Sequence, residues 1–549
     1  MQCDENCIVL VDRLESSLSL ISADSSSNFP SNSQSGILVD YENGFVITSA
    51  VLFSSKIDKQ KLANNLIKCS KDFETIKITV ILQNKCCKND QKEFISVAGK
   101  LMLIWSCMEF QNVMTTHFSE RDGWQFEKYQ ENEILKERSK NSLIEPVSLK
   151  SEFEENENIN LLFWFALIKL DYNEKIKRFG NQVTHYYPSV NLRQGDALLA
   201  SGTPFGALCP PVFMNSVSMG IVSNLAGKKN TLIMTDARVM PGSEGAGVYV
   251  LPHGDINKRK LAAMIVSPVS WKSDEWIGLT LAVSISALLD SLQTHLQLPH
   301  NLLMPAVDAE VNQACWTSEI MNAINSVVYV QVGSIWGSGV IIDGVKGYVL
   351  TCRHVVRSSK RGVRIFSRYP SPRWLAADVV FSTCPSSPLD LALLKLQNCP
   401  KGLPAVKTST DASKGQRVIA VGHALFSFEL QNQPSVTSGV VSNTVTYKDE
   451  LVMIQSTCAV HGGASGGALL CAETGQFIGI IASNSRDIEN NASFPHVNFS
   501  IPTAMFWFPI TSYISSKDSS VLESLTKTEV EIKHLWQLDA SKINIMSKL

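Results

Sequence analysis

The sequence predicts an all-β protein built from two tandem copies of one domain. Short runs of apolar and β-branched residues alternate with Gly, Pro, Asn and Ser along most of the 549 residues. This pattern is typical of many short strands joined by turns, as in barrels and sandwiches. Residues 35–51 and 338–354 also match without a gap at Ser-Gly, an aliphatic triplet, Asp, Gly, an aromatic residue, Val and Thr. Such a match at this separation indicates an internal duplication.

Four further blocks recur in the same order in the two halves, which places the duplication beyond coincidence. Each copy therefore covers about 200 core residues. The matching pairs are 166–170 with 392–396, 193–202 with 413–422, 215–224 with 434–443, and 241–248 with 462–469.

The repeat sets the expected domain boundaries. We expect a first domain over 1–291, a linker over 292–312 that contains Pro299 and Pro305, a second domain over 313–515 and a tail over 516–549. Between its first two blocks the first copy carries roughly a hundred extra residues, 54–158, much of them highly charged. Few core residues and many charges predict a long mobile insertion there, partly helical.

Composition excludes several classes of protein. A formal charge of −2 and a pI near 6.6 give no sign of a nucleic-acid partner. The longest apolar run, residues 161–168, is too short to span a bilayer. The 13 cysteines are diluted and odd in number, and neither Cys3/Cys7 nor Cys86/Cys87 has a partner pair at zinc-finger spacing. We therefore expect free thiols in a reducing compartment, with no metal and no cofactor.

The second copy contains the residues of a nucleophilic triad. His354 follows a strand in TCRHVV, and Ser465 lies in the glycine-rich turn GGASGG. A serine hydroxyl needs an imidazole to take its proton, and the imidazole needs a carboxylate to fix its tautomer. Asp378 lies inside an apolar strand pattern and Asp411 in a polar turn, whereas Asp390 directly opens an apolar strand. The sequence thus predicts His354, Asp390 and Ser465 as catalytic residues.

The glycine-rich turn has a second predicted role. Small residues let the backbone N–H groups of Gly463 and Ser465 converge on a developing oxyanion. With this turn in place, residues 325–510 resemble trypsin-like serine proteases of the HtrA/Deg type. The motifs that carry the resemblance are TCRHVV, DLALLKL, SVTSGVVSN, GGASGGALL and VNFSIP.

The resemblance implies two tandem trypsin-like double β-barrel domains, of which the first is degenerate. In the first copy Val51 takes the place of the histidine, Trp164 that of the aspartate and Glu244 that of the serine. We expect this copy to keep the fold, to lack the chemistry and to serve in binding, inhibition or assembly.

The resemblance also implies a specificity pocket. Its base is the residue six positions before the nucleophile, Ala459, and Asn498 is expected to line the other wall. Without a carboxylate at the base, the pocket favours a small or apolar residue over Arg or Lys.

The chain ends in Ser547-Lys548-Leu549, a tripeptide that a peroxisomal import receptor reads at the free carboxylate. Together with the resemblance, it implies a protease of the peroxisomal matrix. The expected substrates are imported matrix enzymes that carry leader segments or an SKL terminus. The sequence leaves a homo-oligomer open.

Self-cleavage is a further expectation, because proteases cut exposed mobile segments first. The predicted insertion offers Cys107 as the first candidate and Cys86 or Cys87 as the second. One alternative from a different class stays open, a non-catalytic matrix protein that uses protease-like barrels to bind or chaperone clients.

Overall fold

The computed structural model describes a large part of the chain, and its contacts divide into two compact units. The units are residues 1–274 with 279–313, and residues 314–549 with 275–278. The described residues are 6–11, 33–56, 66–68, 76–85, 92–118, 123–126, 161–171, 185–268, 270–272, 275–296, 316–357, 362–430, 433–486 and 493–538.

The first unit begins with a ring of antiparallel strands. Strands β6, β5, β1, β2, β3 and β8 pair in that order, β6 also pairs with β8, and β4 adds to the outer side of β6. The strands and the helix between them are β1 Asn6–Val11, β2 Ser33–Asp40, β3 Phe45–Ser49, β4 Leu66–Lys68, β5 Ile78–Lys85, β6 Lys92–Ser106, α1 Met108–His117, β7 Trp124–Phe126 and β8 Trp164–Leu170.

A closed six-stranded barrel follows in the same unit, in the order β10-β11-β16-β13-β12-β9. Its core is apolar and almost fully buried, with Val222, Ile233 and Ile265 all at 0% exposure. The elements of this part of the unit are β9 Ala197–Gly202, α2 Pro210–Phe213, β10 Ser216–Ala226, β11 Leu232–Thr235, β12 Gly247–Val250, β13 Lys260–Ser267, β14 Ser270–Lys272, β16 Thr280–Ser284 and α3 Ile285–Leu296. The short strand β15, Glu275–Trp276, falls in the segment that is grouped with the second unit.

The second unit contains two closed barrels, β17-β18-β19-β22-β21-β20 and β23-β24-β25-β28-β27-β26. The first of these barrels and the helices that flank it are α4 Ser318–Asn325, β17 Val327–Val332, β18 Ile335–Asp343, β19 Tyr348–Thr351, α5 Arg353–Val356, β20 Val363–Ser367, β21 Arg373–Ser382 and β22 Ala392–Leu396. The second barrel and the helices after it are β23 Arg417–Gly422, β24 Ser435–Tyr447, β25 Glu450–Ser456, β26 Ala468–Cys471, β27 Phe477–Arg486, β28 Ser493–Pro502, α6 Thr503–Ser516 and α7 Val530–Trp536.

The two units share one pairing order, which confirms the prediction of tandem double barrels. In the ring that opens each unit, β1, β2, β3, β8, β6 and β5 correspond to β17, β18, β19, β22, β21 and β20. The register agrees as well, because Thr48 lies opposite Ala166 and Thr351 lies opposite Ala392. Val51 and His354 each follow the paired threonine by three positions, and Trp164 and Asp390 each precede the paired alanine by two.

The predicted insertion over 54–158 is wrong in part. Residues 78–85 and 92–106 form β5 and β6, two strands of the first barrel, and α1 covers 108–117. These strands bury Val80, Val97 and Leu103 at 3% exposure or less. The segment that lacks a counterpart in the second copy therefore lies mainly between β6 and β8.

The predicted linker and tail also differ from the structure. Helix α3 extends to Leu296, so the linker cannot begin at 292. In the tail, residues 519–525 form a 3₁₀ helix and 530–536 form α7. Leu522 and Leu525 are 1% and 2% exposed, because the 3₁₀ helix packs against α6. Across the described part of the chain, no helix is long and apolar enough to cross a membrane.

Candidate active site

His354 lies on a single helical turn, α5, directly after strand β19. Val355 and Val356 are 2% and 3% exposed and anchor the turn in the core of the first barrel of the second unit. The His354 side chain, between Arg353 and these valines, is 42% exposed. A buried pair of β-branched residues thus fixes the turn and leaves the imidazole at the surface, where it can meet a substrate.

Asp390, in the loop before β22, is hydrogen-bonded to this imidazole. Leu389 and Leu391, at 1% and 0% exposure, hold the backbone on both sides of it. Oδ2 of Asp390 is hydrogen-bonded to Nδ1 of His354, and Oδ1 accepts the backbone N–H of His354 at 3.1 Å. A carboxylate at Nδ1 keeps the proton on that nitrogen and leaves Nε2 as the base.

Arg353 is a third partner of the carboxylate, which sequence reasoning missed. Its Nε lies 3.4 Å from Oδ1 of Asp390, and its guanidinium also donates to the carbonyl of Cys384. Burial acts to raise the pKa of Asp390, but the hydrogen bonds from His354 and the charges of His354 and Arg353 outweigh it. The pKa of Asp390 therefore lies below its usual value, and the carboxylate is ionised at neutral pH.

Ser465 lies in the turn before β26, and contacts with the first barrel of the second unit position it. The N–H of Ser338 donates to the Ser465 carbonyl at 2.9 Å. Gly466 packs so closely that a Cβ on it would come within 2.5 Å of Oγ1 of Thr351, the last residue of β19. Since β19 leads into α5, this close approach brings the nucleophile to the side of the barrel that carries His354. The φ of Gly466, +85°, adds to the requirement for glycine.

The backbone N–H of Gly463 is directed by its neighbours. The carbonyl of Gly462 accepts the N–H of Leu425 at 3.2 Å. Because N–H and C=O of a trans peptide point in opposite directions, the N–H of Gly463 points away from Leu425. Gly463 has φ +94°, a conformation that glycine adopts readily.

The N–H of Ser465 is directed in the same way. The carbonyl of Ala464 accepts the N–H of Gly467 at 2.8 Å, which turns the N–H of Ser465 to the opposite side. Within the residues that the structure describes, neither this N–H nor that of Gly463 donates to a protein acceptor. The turn is thus compatible with the predicted oxyanion hole, two N–H groups available to a developing negative charge.

In the first copy the equivalent N–H is already occupied. The carbonyl of Pro241 accepts the N–H of Phe205 at 2.7 Å, just as Gly462 accepts from Leu425. The N–H of Gly242 then donates to Oε2 of Glu244 at 2.8 Å. Glu244, which takes the position of the nucleophile, is 4% exposed. The degenerate copy has therefore kept the backbone turn and filled its anion site with its own carboxylate.

The predicted pocket residues lie on neighbouring segments. Ala459, 5% exposed, carries no polar side chain at the expected base. The prediction that Asn498 lines the opposite wall does not hold for its side chain, which is fully buried. Its amide donates to the carbonyl of Cys458 at 2.8 Å and accepts the hydroxyl of Ser456 at 2.7 Å. Asn498 thus clamps the segment before Ala459, and its polar atoms are committed to protein partners.

Cys352 is the one thiol near the triad among the described cysteines. Its Sγ, a ring nitrogen of His354 and a carboxylate oxygen of Asp390 lie within 4.8 Å of one another, a spacing that could hold a metal ion. However, Sγ donates to the carbonyl of Ile481 at 3.3 Å, and burial raises the pKa of Cys352 well above its ordinary value. A protonated thiol is a poor metal ligand, so the residues present do not favour a metal there.

The structure corrects the first candidate for self-cleavage. Cys107 is 1% exposed, its N–H bonds to the carbonyl of Phe163, and its thiol faces the carbonyl of Ala287. Burial raises its pKa to about 11. A protease cannot reach this bond without unfolding the barrel. Cys86 and Cys87, and the terminal residues 547–549, lie outside the described residues.

Comparison with known proteins identifies the family. The trypsin-like peptidase domain family matches residues 337–480. The peroxisomal leader peptide-processing protease of Mus musculus is 33% identical over 450 residues, which cover 80% of this chain and 74% of the mouse protein. The human protein of the same name is 35% identical over 399 residues, 71% of this chain and 68% of its own length.

The chain belongs to the family of peroxisomal leader peptide-processing proteases.

Membership in this family makes it a serine endopeptidase of the peroxisome, as the triad and the terminal tripeptide predicted. The periplasmic serine endoprotease DegP of Salmonella typhimurium is 36% identical over 178 residues, 31% of this chain and 34% of that protein. The HtrA/Deg resemblance is thereby confirmed.

Sequence reasoning missed two features of this site, the contact of Arg353 with Asp390 and the carboxylate of Glu244 that occupies the equivalent turn of the first copy. The only signals for them were a charged residue directly before His354 and a carboxylate at the nucleophile position.

Proposed function

We propose that the chain removes leader segments from proteins imported into the peroxisome, by an acyl-enzyme mechanism that uses His354, Asp390 and Ser465. The observation that carries this proposal is the bond between Asp390 and Nδ1 of His354, together with a turn in which the N–H groups of Gly463 and Ser465 have no protein acceptor among the described residues.

The mechanism follows from these atoms. Nε2 of His354 takes the proton of Ser465 as Oγ attacks the scissile carbonyl, and the N–H groups of Gly463 and Ser465 bind the oxyanion. The imidazolium then gives its proton to the leaving amine, and the acyl group remains on Oγ. Water, activated by the same imidazole, releases the new carboxylate and restores the serine.

The pocket supports a preference for small, uncharged residues before the cleaved bond. Its expected base, Ala459, offers no charge partner to Arg or Lys, and the neighbouring Asn498 directs its amide into the protein. A leader cut after a cysteine, alanine or similar side chain is compatible with this environment.

Replacement of Ser465 tests the catalytic assignment. Ser465→Ala removes only the nucleophile, so the fold stays intact while turnover falls by about 10⁴- to 10⁶-fold. Intact mass after treatment with a fluorophosphonate should show labelled wild type and unlabelled Ser465→Ala. The matched control is Glu244→Gln at the equivalent position of the first copy, which should label like wild type.

Wild-type chain that takes no label would favour the alternative, a binding or chaperone-like protein on a protease scaffold. For the substrate class, purified enzyme and Ser465→Ala are each mixed with leader-bearing matrix proteins, and the products are sequenced from their N-termini. New N-termini that follow a small uncharged residue and appear only with wild type are expected. Cuts after Arg or Lys would contradict the pocket argument.

The role of the C-terminal tripeptide in peroxisomal targeting is a separate proposal. We expect the import receptor to bind Ser547-Lys548-Leu549 at the free carboxylate. A chain without this tripeptide should keep its activity and remain in the cytosol, as fluorescence microscopy of a tagged chain can measure. Unchanged import of the shortened chain would place the signal elsewhere.

A further inference from the structure

Ser338, a fully buried residue of β18, lies directly behind the oxyanion turn. Its Oγ accepts the backbone N–H of His423 at 2.7 Å and donates to the carbonyl of Gly463 at 2.8 Å. Because the N–H of His423 already points at the oxygen, the hydroxyl proton is left for Gly463. The direction of this hydrogen bond is therefore defined by its surroundings.

The backbone of Ser338 holds the other residue of the oxyanion hole. Its N–H donates to the carbonyl of Ser465 at 2.9 Å, and its own carbonyl accepts the hydroxyl of Thr351 at 2.7 Å. Ser338 thus binds the carbonyls of Gly463 and Ser465, the two residues of the predicted oxyanion hole. One of these two bonds depends on the side chain, and the other depends only on the backbone.

We propose that Ser338 is a positioning residue for catalysis, whose hydroxyl holds the turn at Gly463 in the conformation that presents the oxyanion N–H groups. Without Oγ, the Gly463 carbonyl and the His423 N–H both lose a partner in a buried place. The peptide units around Gly463 can then rotate to find other partners, which removes a donor from the oxyanion for part of the time.

The first copy contains the equivalent hydrogen bonds at a turn that lacks the catalytic serine. Oγ of Ser35 donates to the carbonyl of Gly242 at 2.9 Å and accepts the N–H of Thr203 at 3.0 Å. The hydroxyl of Thr48 donates to the carbonyl of Ser35 at 2.7 Å. The N–H of Gly242, however, is bound by Glu244 and meets no substrate. Ser35→Ala is therefore a matched control, which removes an equivalent hydrogen bond at a turn that takes no part in the reaction.

The test measures the rate of labelling by a fluorophosphonate, which needs the nucleophile and the oxyanion hole but no known substrate. Ser338→Ala should lower the second-order rate constant roughly tenfold, less than the loss of a donor outright. The fraction of protein labelled at completion should stay the same. The acid limb of the rate against pH should not move, because His354 and Asp390 are untouched.

The neighbouring His423 does not interfere with this pH profile. Burial and the charge of Arg368 lower the pKa of His423 to about 3, so its ring stays neutral over the acid limb. Two further variants separate the hydrogen bond from packing. Ser338→Thr keeps the hydroxyl and should react within about threefold of wild type, whereas Ser338→Cys fills the space with a weak donor and should be slow.

Ser35→Ala should lower the melting temperature without changing the labelling rate. An unchanged rate in Ser338→Ala or Ser338→Cys would overturn the proposal, and so would an equal slowing in Ser35→Ala. A loss of labelled fraction in Ser338→Ala that matches unfolded protein would assign the residue a structural role only. If wild type itself takes no label, the proposed function fails and not merely the role of Ser338.

Discussion

At the scale of single residues, the catalytic carboxylate is held by a cation that the triad does not require. Nε of Arg353 lies 3.4 Å from Oδ1 of Asp390, and the Arg353 side chain is only 22% exposed. A guanidinium at this place stabilises the ionised carboxylate and is one of the causes that hold the pKa of Asp390 below its usual value. Arg353 therefore acts against protonation of Asp390, the residue that orients the general base.

This contact predicts a shift in the pH dependence. Arg353→Gln removes this positive charge, so the Asp390 carboxylate should take a proton, and its ionic bond to Nδ1 of His354 should be lost, at a higher pH. The midpoint of the acid limb of kcat/KM should rise by about half a pH unit, while the plateau changes little. Arg353→Lys keeps the charge and is the matched control. An acid limb that stays in place in Arg353→Gln, or that moves equally in Arg353→Lys, would contradict the argument.

The residues that sequence reasoning found and those it missed differ in a physical way. His354, Asp390 and Ser465 could be named because each role demands one residue type beside a recognisable strand or turn. Arg353 and Glu244 act through the direction of a long side chain, which the residue type alone does not reveal. The carbonyl of Cys384 orients Arg353, and the backbone of Gly242 receives Glu244.

At the scale of elements, strands β5 and β6 belong to the barrel, although their sequence predicts part of an insertion. No block of the second copy matches them in sequence, and a charged stretch follows them. Their place in the barrel depends on ladders, since β6 pairs with β5 on one side and with β8 on the other. Such pairing requires alternating apolar residues, which residues 94–105 have, but no particular identities.

The oxyanion turn of the first copy gives an element-scale prediction. Glu244→Ala deprives the buried N–H of Gly242 of its acceptor, which should cost about 1–3 kcal/mol of the free energy of unfolding. Glu244→Gln keeps an acceptor oxygen at the same place and should cost less. Chemical or thermal unfolding of both variants measures the difference. If Glu244→Ala is as stable as wild type, the carboxylate adds nothing to the turn.

At the scale of the whole molecule, the duplication shows which features the fold requires and which only the catalytic activity requires. Both copies keep the same strand order and the same positive-φ glycines, Gly242 and Gly245 in one and Gly463 and Gly466 in the other. Only the second copy has the imidazole and the carboxylate. Barrel closure therefore does not require the catalytic residues, because the first copy keeps the fold with Val51, Trp164 and Glu244 at the three positions.

The last prediction concerns self-cleavage of the whole chain. With Cys107 buried, Cys86 and Cys87 become the favoured candidates, because they have small uncharged side chains and stand in the segment between β5 and β6. A cut there would leave eight pairs of the antiparallel ladder, from Ile78↔Gly99 to Lys85↔Lys92, so the two fragments should stay together until denatured. We expect wild type, aged at room temperature, to accumulate fragments that end after Cys86 or Cys87.

Intact mass under denaturing conditions identifies the junction, and native size-exclusion chromatography should still give one species. Ser465→Ala aged beside wild type should remain whole, and adding a trace of wild type to it should restore the nick if one molecule cuts another. Nicking of Ser465→Ala alone would reveal a contaminating protease. A wild-type chain that labels fully with fluorophosphonate yet never nicks would show that its pocket does not accept the connection between β5 and β6.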